Sequence, residues 1–248
     1  MEYILLGGGK PALLKVKEAN QREEGMLKYK GIIRRALLFD GVDDRVDCGY
    51  GLSGLGSGEF TLMAWANCLG AGAGPYPGVL NREFSGNILI CRRADFNKWH
   101  FFIHADGQSS TSIDSNDVIT YGVWYHLAMT RDSAGDFKAY VNGVQQGTTR
   151  NYPYNLSGVD RKFWVGRYSS SFFNGLIADV QVYNRALSEY EIKWLHNNGR
   201  GRPFSAIRDG LVLWLDPSRW RGSSYVKDLS GYGNHGVIYG AKRVRCSL

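Results

Sequence analysis

From Ala36 to Tyr239 the sequence is cut into short aromatic and aliphatic runs, each closed by a glycine, asparagine or aspartate turn. Runs of this length suit strands and are too short for helices, so this punctuation limits the chain to an all-β architecture. Ala36-Leu37-Leu38-Phe39 stops at Asp40-Gly41. Phe60 to Ala66 alternates as a strand with one buried face should. Asn87–Ala94 and Lys98–His104 follow. Trp124–Arg131 and Phe137–Val141 flank Ser133-Ala134-Gly135-Asp136 and predict a hairpin. Asn142-Gly143 predicts a type I′ turn into Val144-Gln145-Gln146. Lys162–Gly166, Leu176–Tyr183, Leu211–Leu215 and Val237–Tyr239 complete the expected strands.

One helix interrupts the pattern, near 188–197. Ser188-Glu189-Tyr190-Glu191 reads as a capping box, with Leu187, Ile192 and Leu195 as its apolar face and Gly199 as its stop. The spacing divides the chain into an arm (1–35), a strand-rich core (36–198) and a C-terminal strand segment (199–248). Gly7-Gly8-Gly9-Lys10-Pro11 lacks the spacing of a phosphate loop.

Composition narrows the function classes. Hydrophobic residues make up 44% of the chain, with 15 Tyr, 11 Phe and 7 Trp, which excludes a disordered protein. No run is long enough for a membrane helix, and Met1-Glu2-Tyr3-Ile4-Leu5-Leu6 does not read as a secretory signal, so no membrane insertion is expected. The expected location is a virion or cell surface reached without a signal peptide, or otherwise the cytoplasm. Cys48, Cys68, Cys91 and Cys246 form no C-x-x-C pair, which weakens zinc and thioredoxin-like readings. Buried thiols are the plain expectation, and a disulfide stays open.

The formal charge is +7, and the two ends carry the excess. Residues 1–35 hold eight bases against four glutamates, and residues 199–248 hold nine bases against three aspartates. These segments are either solvated basic faces or contacts to an acidic partner.

Three stretches together resemble the laminin-G-like jelly-roll domains of the concanavalin A-like lectin/glucanase superfamily. They are Ala36 to Val46 (with Phe39-Asp40-Gly41-Val42-Asp43-Asp44), Trp124 to Thr130 followed by Ala139-Tyr140-Val141-Asn142-Gly143, and Phe173 to Val180 followed by Tyr183 to Ser188. The resemblance implies a two-sheet antiparallel jelly-roll sandwich, a fold that hosts many functions. Gly210 to Asp216 and Asp228 to Gly236 are similar to the family's opening strand and loop, which there precede the first stretch. Here they follow the last. Either the chain is circularly permuted and the tail completes its own sandwich, or the tail enters a neighbouring subunit.

Glucanases of this superfamily carry E-x-D-x-(x)-E on one strand, and that spacing is absent. The acids Asp40, Asp43, Asp44 and Asp47 fall in a turn. His100, His104, His126 and His235 are scattered, and no G-x-S-x-G accompanies them. The chain is therefore expected to be no enzyme but a binding or assembly module. It would be a lectin-like surface or virion-associated structural protein, of the capsid decoration, turret or fibre type. A free-standing lectin or adhesin is the alternative, and a glycoside hydrolase the weaker one.

The resemblance implies structural calcium at Asp40, Asp43, Asp44 and Asp179. Turn chemistry at Asp40 and Asp43 is the competing account. Sugar-binding aromatics are expected among the loop residues Tyr76, Tyr121, Tyr152, Tyr154 and Tyr168, with Phe84 beside them, while Trp65, Trp99, Trp124, Trp164 and Trp214 are assigned to core packing. Leu211, Leu213, Trp214, Arg219 and Arg221 are expected to make assembly contacts with other copies or other subunits. Glycans are candidate partners. Nucleic acid is disfavoured, although Arg200, Arg202, Arg208, Arg219 and Arg221 lie near Trp220 and Tyr225.

Overall fold

The computed structural model describes residues 33–52, 54–82, 87–156, 161–196, 207–219, 222 and 224–247. The elements begin with β1 (Ile33–Asp40), β2 (Arg45–Asp47), β3 (Phe60–Cys68), β4 (Gly78–Arg82), β5 (Asn87–Arg93) and β6 (Lys98–His104). Next come β7 (Thr111–Asp114), β8 (Trp124–Arg131), β9 (Asp136–Val141), β10 (Val144–Asn151), β11 (Phe163–Val165), β12 (Arg167–Tyr168), β13 (Ser171–Phe172) and β14 (Asn174–Tyr183). Helix α1 (Glu189–His196) follows, then β15 (Leu211–Leu215), β16 (Tyr225–Val226), β17 (Gly236–Tyr239) and β18 (Lys242–Ser247).

Two antiparallel eight-stranded sheets face each other across one core. The first runs β10-β9-β8-β3-β14-β1-β18, with β15 also paired to β14. The second runs β16-β17-β2-β11-β4-β5-β6-β7. Phe39, Leu62, Leu127, Phe137 and Ile177 of the first sheet meet Val46, Leu80, Ile90, Phe101 and Val165 of the second, all nearly inaccessible to water. The core is thus the alternate side chains of facing strands, as in a β-sandwich. The all-β expectation and its single helix match this architecture.

The tail folds back onto its own chain. Along one flank of β14, β1 pairs with its first half and β15 with its second, and β18 then pairs with β1 from Ile33↔Ser247 to Leu38↔Lys242. In the other sheet, β17 pairs with β2 and carries β16 at the edge. At the opposite end of the chain, β1 starts at Ile33, ahead of the expected Ala36. The rest of the expected arm and Gly199, the expected helix stop, lie outside the described residues.

The strand β3 departs from its expected alternation: all nine residues are buried. The first sheet is covered on its outer side as well. Met63, Tyr140, Tyr183, Leu187, Ile192, Leu195, Leu211 and Trp214 form a second apolar cluster beneath α1. The helix is capped as predicted. Ser188 N donates to Glu191 Oε2 at 2.8 Å, and Glu191 N donates back to Ser188 Oγ at 3.3 Å. Arg185 bonds the same carboxylate at 2.7 Å and holds it down at a pKa of about 2. The predicted type I′ turn is present too, with φ of 53° at Asn142 and 76° at Gly143.

His126 lies under this outer layer, its ring 5.2 Å from Trp65 and 5.7 Å from His196. Neither ring nitrogen has a hydrogen-bond partner, and burial, with His196 adding to it, pushes its pKa down to about 3. The unfolded chain takes up this proton near pH 6.5, whereas the fold refuses it until about pH 3, so stability falls as pH drops below 6.5. Between pH 7 and pH 4.5 the group should remove about 2–3 kcal/mol of stability. Urea melts at the two pH values test this. His126→Phe should lose that much less than the native chain, and parallel losses in both would refute the assignment.

All four cysteines are buried thiols outside any disulfide. Burial raises the thiol pKa values of Cys48, Cys68 and Cys91, that of Cys68 to about 11, so these three behave as small apolar groups.

Candidate functional site

Strand alternation decides what the second sheet shows to solvent. Val46, Val165, Ile90 and Phe101 point into the core, so their neighbours point out. The register aligns these outward residues in one row across the eight strands: Tyr225, Val237, Asp47, Trp164, Asn81, Leu89, Phe102 and Ser112. Beside it, Tyr239 pairs with Arg45. The end built from β16, β17 and β2 is open. Tyr225 is 46% exposed, Val237 47% and Tyr239 44%, and Tyr50, in the turn after β2, is 52% exposed. Large apolar side chains gathered on one exposed face mark a binding surface more than scattered ones do.

Trp164 sits where this open end meets the covered part of the row. Three cations surround its indole: Arg167 at 4.7 Å, Lys162 at 5.2 Å and Arg45 at 6.0 Å. Arg45 also lies 4.4 Å from the Tyr239 ring, and Lys162 is 5.4 Å from Tyr50. Asp47 accepts from Lys162 Nζ at 2.8 Å and from Gly49 N at 2.8 Å. That bond to Asp47 raises the Lys162 pKa, so the ammonium stays charged. Trp164 Nε1, Arg45 Nε and both polar atoms of the Asn81 amide are buried without hydrogen-bond partners. Unsatisfied buried groups are rare in native proteins.

The acidic turn is partly assembled. Carboxylate oxygens of Asp40, Asp43 and Asp44 lie within 4.8 Å of one another. Turn chemistry uses part of the set: Asp40 Oδ1 accepts from Val42 N at 2.8 Å, and Asp44 Oδ2 accepts from Asp40 N at 2.9 Å. Burial, reinforced by the two neighbouring acids, raises the Asp44 pKa. Asp179 stands elsewhere. It occupies the bulge of β14 with φ of 49°, and its Oδ1 accepts from Trp214 Nε1 at 2.8 Å and Gln181 Nε2 at 3.1 Å. A bulge re-aims a side chain, and here it sends the carboxylate to the tail.

The five loop tyrosines do not form one platform. Tyr152 is a core residue, 3% exposed, whose hydroxyl accepts from Ala105 N. Tyr154 meets it edge to face at 5.0 Å. Arg131 pins both by donating to their backbone carbonyls. Tyr76 lies against His100, Tyr121 against Arg92, and Tyr168 is in the β12–β13 hairpin. Phe84 is outside the described residues. Among the expected assembly residues, Leu213 is in the sandwich core, while Leu211 and Trp214 are in the cluster beneath α1. Arg219 covers Trp214 at 4.8 Å, and Arg221 lies outside the described residues. The sequence reading did not single out Tyr50 or Tyr239, named Tyr225 only beside the terminal arginines, and assigned Trp164 to core packing; Trp164 is 6% exposed but lies on the outward side of β11. Strand parity was the available signal, because Trp164 lies between two inward residues.

A sequence model described as the concanavalin A-like lectin/glucanases superfamily matches residues 40–193. No curated protein matches the sequence. Among solved structures, a Bacteroides ovatus protein assigned to carbohydrate binding superposes with a TM-score of 0.63 at 19% identity, over 87% of this chain and 61% of that protein. This chain therefore spans less than two thirds of that protein's length. Domain 4 of the Geobacillus stearothermophilus extracellular arabinanase AbnA, solved with arabinotriose, gives 0.53 at 20% identity, over 64% of this chain and 74% of that one. The heptameric SAP-like pentraxin of Limulus polyphemus gives 0.52 at 15% identity, over 74% and 92%. At these identities the likeness is one of fold.

Proposed function

The chain belongs to the concanavalin A-like lectin/glucanase superfamily, and from that premise we propose that it binds carbohydrate, without cleaving it, on the outward face of its second sheet. The observation that carries this reading is the exposed group Tyr225, Val237, Tyr239 and Tyr50 beside Trp164, with Asp47 and Arg45 among them. Flat apolar rings bordered by a few polar groups suit a sugar, which has an apolar face and a hydroxylated rim. The carbohydrate roles assigned to the Bacteroides and Geobacillus proteins support the same reading.

The non-catalytic part of the proposal rests on carboxylate spacing. Asp47 faces Trp164 and is tied to Lys162, while Asp114 and Asp95 at the far edge share Arg93, and Asp114 also meets His100. Asp47 and Asp114 are five strand spacings apart, about 24 Å, whereas an inverting glycosidase pair needs about 6.5–9.5 Å, and Asp95 and Asp114 are bridged by one guanidinium instead of being left open to flank a sugar bond. Of the roles expected from sequence, binding is carried forward here. An assembly or virion role remains a further proposal. Among the described residues, no helix is long and apolar enough to cross a membrane.

A glycan array probed with the whole protein tests the reading. Binding to at least one polysaccharide class is expected, and Tyr239→Ala and Tyr225→Ala should each weaken it about tenfold while leaving the melting temperature unchanged. No glycan bound, or binding indifferent to both substitutions, would move the function off this face.

Structural calcium is a second, separable proposal. Asp40, Asp43 and Asp44 offer part of the roughly six to eight oxygens calcium takes, with Asp179 outside the set. Melting with calcium and with a chelator decides it. Calcium at a hundred times its Kd would add about 2.7 kcal/mol, and Asp43→Asn should abolish the rise. Identical melts would leave turn formation as the cluster's role.

A further inference from the structure

We propose that this face takes the interior of an extended, uncharged polysaccharide chain, held by ring stacking over successive sugars, and not a single sugar or a chain end. The inference rests on the carbohydrate reading and adds the length and charge of the ligand.

What the face presents to solvent is the first observation. Its rings are its exposed part, with Tyr225, Tyr239 and Tyr50 each close to half exposed. Its polar groups are recessed and already engaged. The Asp47 side chain is 12% exposed and accepts from Lys162 Nζ and Gly49 N. The Lys162 ammonium lies against that carboxylate and within 5.4 Å of the rings of Tyr50 and Trp164. Arg45 donates to the Asp43 carbonyl at 3.0 Å and stacks on Tyr239. Recognition of one sugar, or of a chain end, relies on placed hydrogen bonds that read individual hydroxyls. Here such bonds compete with internal ones, and leaving a recessed partner unpaired costs more than a new bond contributes. A cation already facing a carboxylate also gives little advantage to a charged ligand. Contact therefore falls to the rings.

Spacing is the second, independent observation. Tyr225 pairs with Val237, and Tyr239 lies two residues further along β17 on the same side, because Ile238 between them turns to the core. The two tyrosines are thus diagonal neighbours, about 7–8 Å apart, which is wider than one sugar ring. Each stacks on a different sugar. Arg45 lies 4.4 Å over one face of the Tyr239 ring, so it fixes that ring and leaves its other face to the ligand.

Place in the sheet is the third. Among the described residues β16 is the terminal strand of the second sheet, so the row ends at an open edge. A chain bound there can run on past the protein, whereas a chain-end site needs a wall to stop it. From β16 to β2 the row crosses two strand spacings, about 10 Å, and Tyr50 follows in the turn after β2.

The test uses the whole protein with arabinan, xylan, mannan, β-glucan and any further neutral polymer that the glycan array returns. Each is paired with its own oligosaccharides, from the disaccharide to the hexasaccharide. At least one polymer is expected to bind, with its hexasaccharide about tenfold or more tighter than its disaccharide. Borohydride reduction, which opens the terminal sugar, should leave hexasaccharide binding unchanged. Raised salt should also leave it unchanged, since no ion pair with the ligand is formed. Tyr225→Ala should weaken the hexasaccharide about tenfold and the disaccharide much less.

Affinity that levels off at the disaccharide, or is lost on reduction, would overturn the inference and leave the carbohydrate reading standing. Binding that weakens with salt, or equal losses at both lengths in the Tyr225 variant, would do the same. So would array binding confined to charged or terminal sugars with no neutral polymer bound. No polymer and no array glycan bound would remove the carbohydrate reading itself, and the inference with it.

Discussion

A chain ending at residue 206 should be insoluble, or should melt without a cooperative transition. The missing segment supplies Leu211, Leu213, Trp214, Leu215 and Val226, all at most 3% exposed. Burying each such side chain is worth about 1.5–3 kcal/mol, so the five contribute on the order of 10 kcal/mol, as much as the whole net stability of a typical domain. Truncation also strips β14 of a partner along its second half and takes β18 from β1 and β17 from β2. Three lengths of unpaired strand edge would then be open to other chains. Size-exclusion chromatography and a thermal melt of the fragment test this. A soluble monomer with a sharp transition would show that residues 207–247 decorate the sandwich rather than complete it.

Asp228→Ala should cost about 3–4 kcal/mol and, at about 2–4 °C per kcal/mol for a chain of this size, lower the melting temperature by about 10 °C. This carboxylate is 3% exposed and accepts four hydrogen bonds. Oδ1 takes Trp214 N and Ser230 N, both at 2.9 Å, and Oδ2 takes Ser230 Oγ at 2.8 Å and Asn234 N at 2.9 Å. Asn234 and Ser230 in turn bond the Val212 carbonyl. One side chain therefore ties the loop before β17 to the strand β15. Alanine would leave a buried backbone N–H at Trp214 without its acceptor. Asp228→Asn keeps one acceptor oxygen and should lose less. Tyr232→Ala, exposed in the same loop, should lose nothing. Equal small losses in all three would show that the loop is held by its glycines and not by Asp228.

The sequence made the strands visible where parity and turn chemistry agree. Lys98–His104, Trp124–Arg131 and Leu211–Leu215 have the expected bounds because apolar runs there meet clear stops. β4 escaped notice because its buried residues include Asn81 and Arg82, polar types that a hydrophobicity reading assigns to a loop. β18 escaped notice because Lys242-Arg243-Val244-Arg245 reads as a charge run, although lysine and arginine are what a sheet edge carries.

The candidate site was harder to read. Tyr225, Tyr239, Asp47 and Trp164 share a face through pairings between distant parts of the chain, and no local pattern reports such pairing. The acid turn was legible because Asp40, Asp43 and Asp44 are neighbours in sequence. Asp179 was misplaced because a bulge, which residue type alone does not announce, turns it toward Trp214.

The order in which the strands appear also has a consequence for synthesis. β15, β17 and β18 leave the ribosome long after β14, β2 and β1, the strands they pair with, and β16 emerges just ahead of its partner β17. At about 5–20 residues per second, roughly 10–40 s separate the emergence of β1 from that of β18. Late in that interval the nascent chain has most strands of both sheets but not their closing ones, and its candidate face lacks β16 and β17. The sandwich can close only once the tail is translated, and until then the edges of β14, β1 and β2 that it covers stay open.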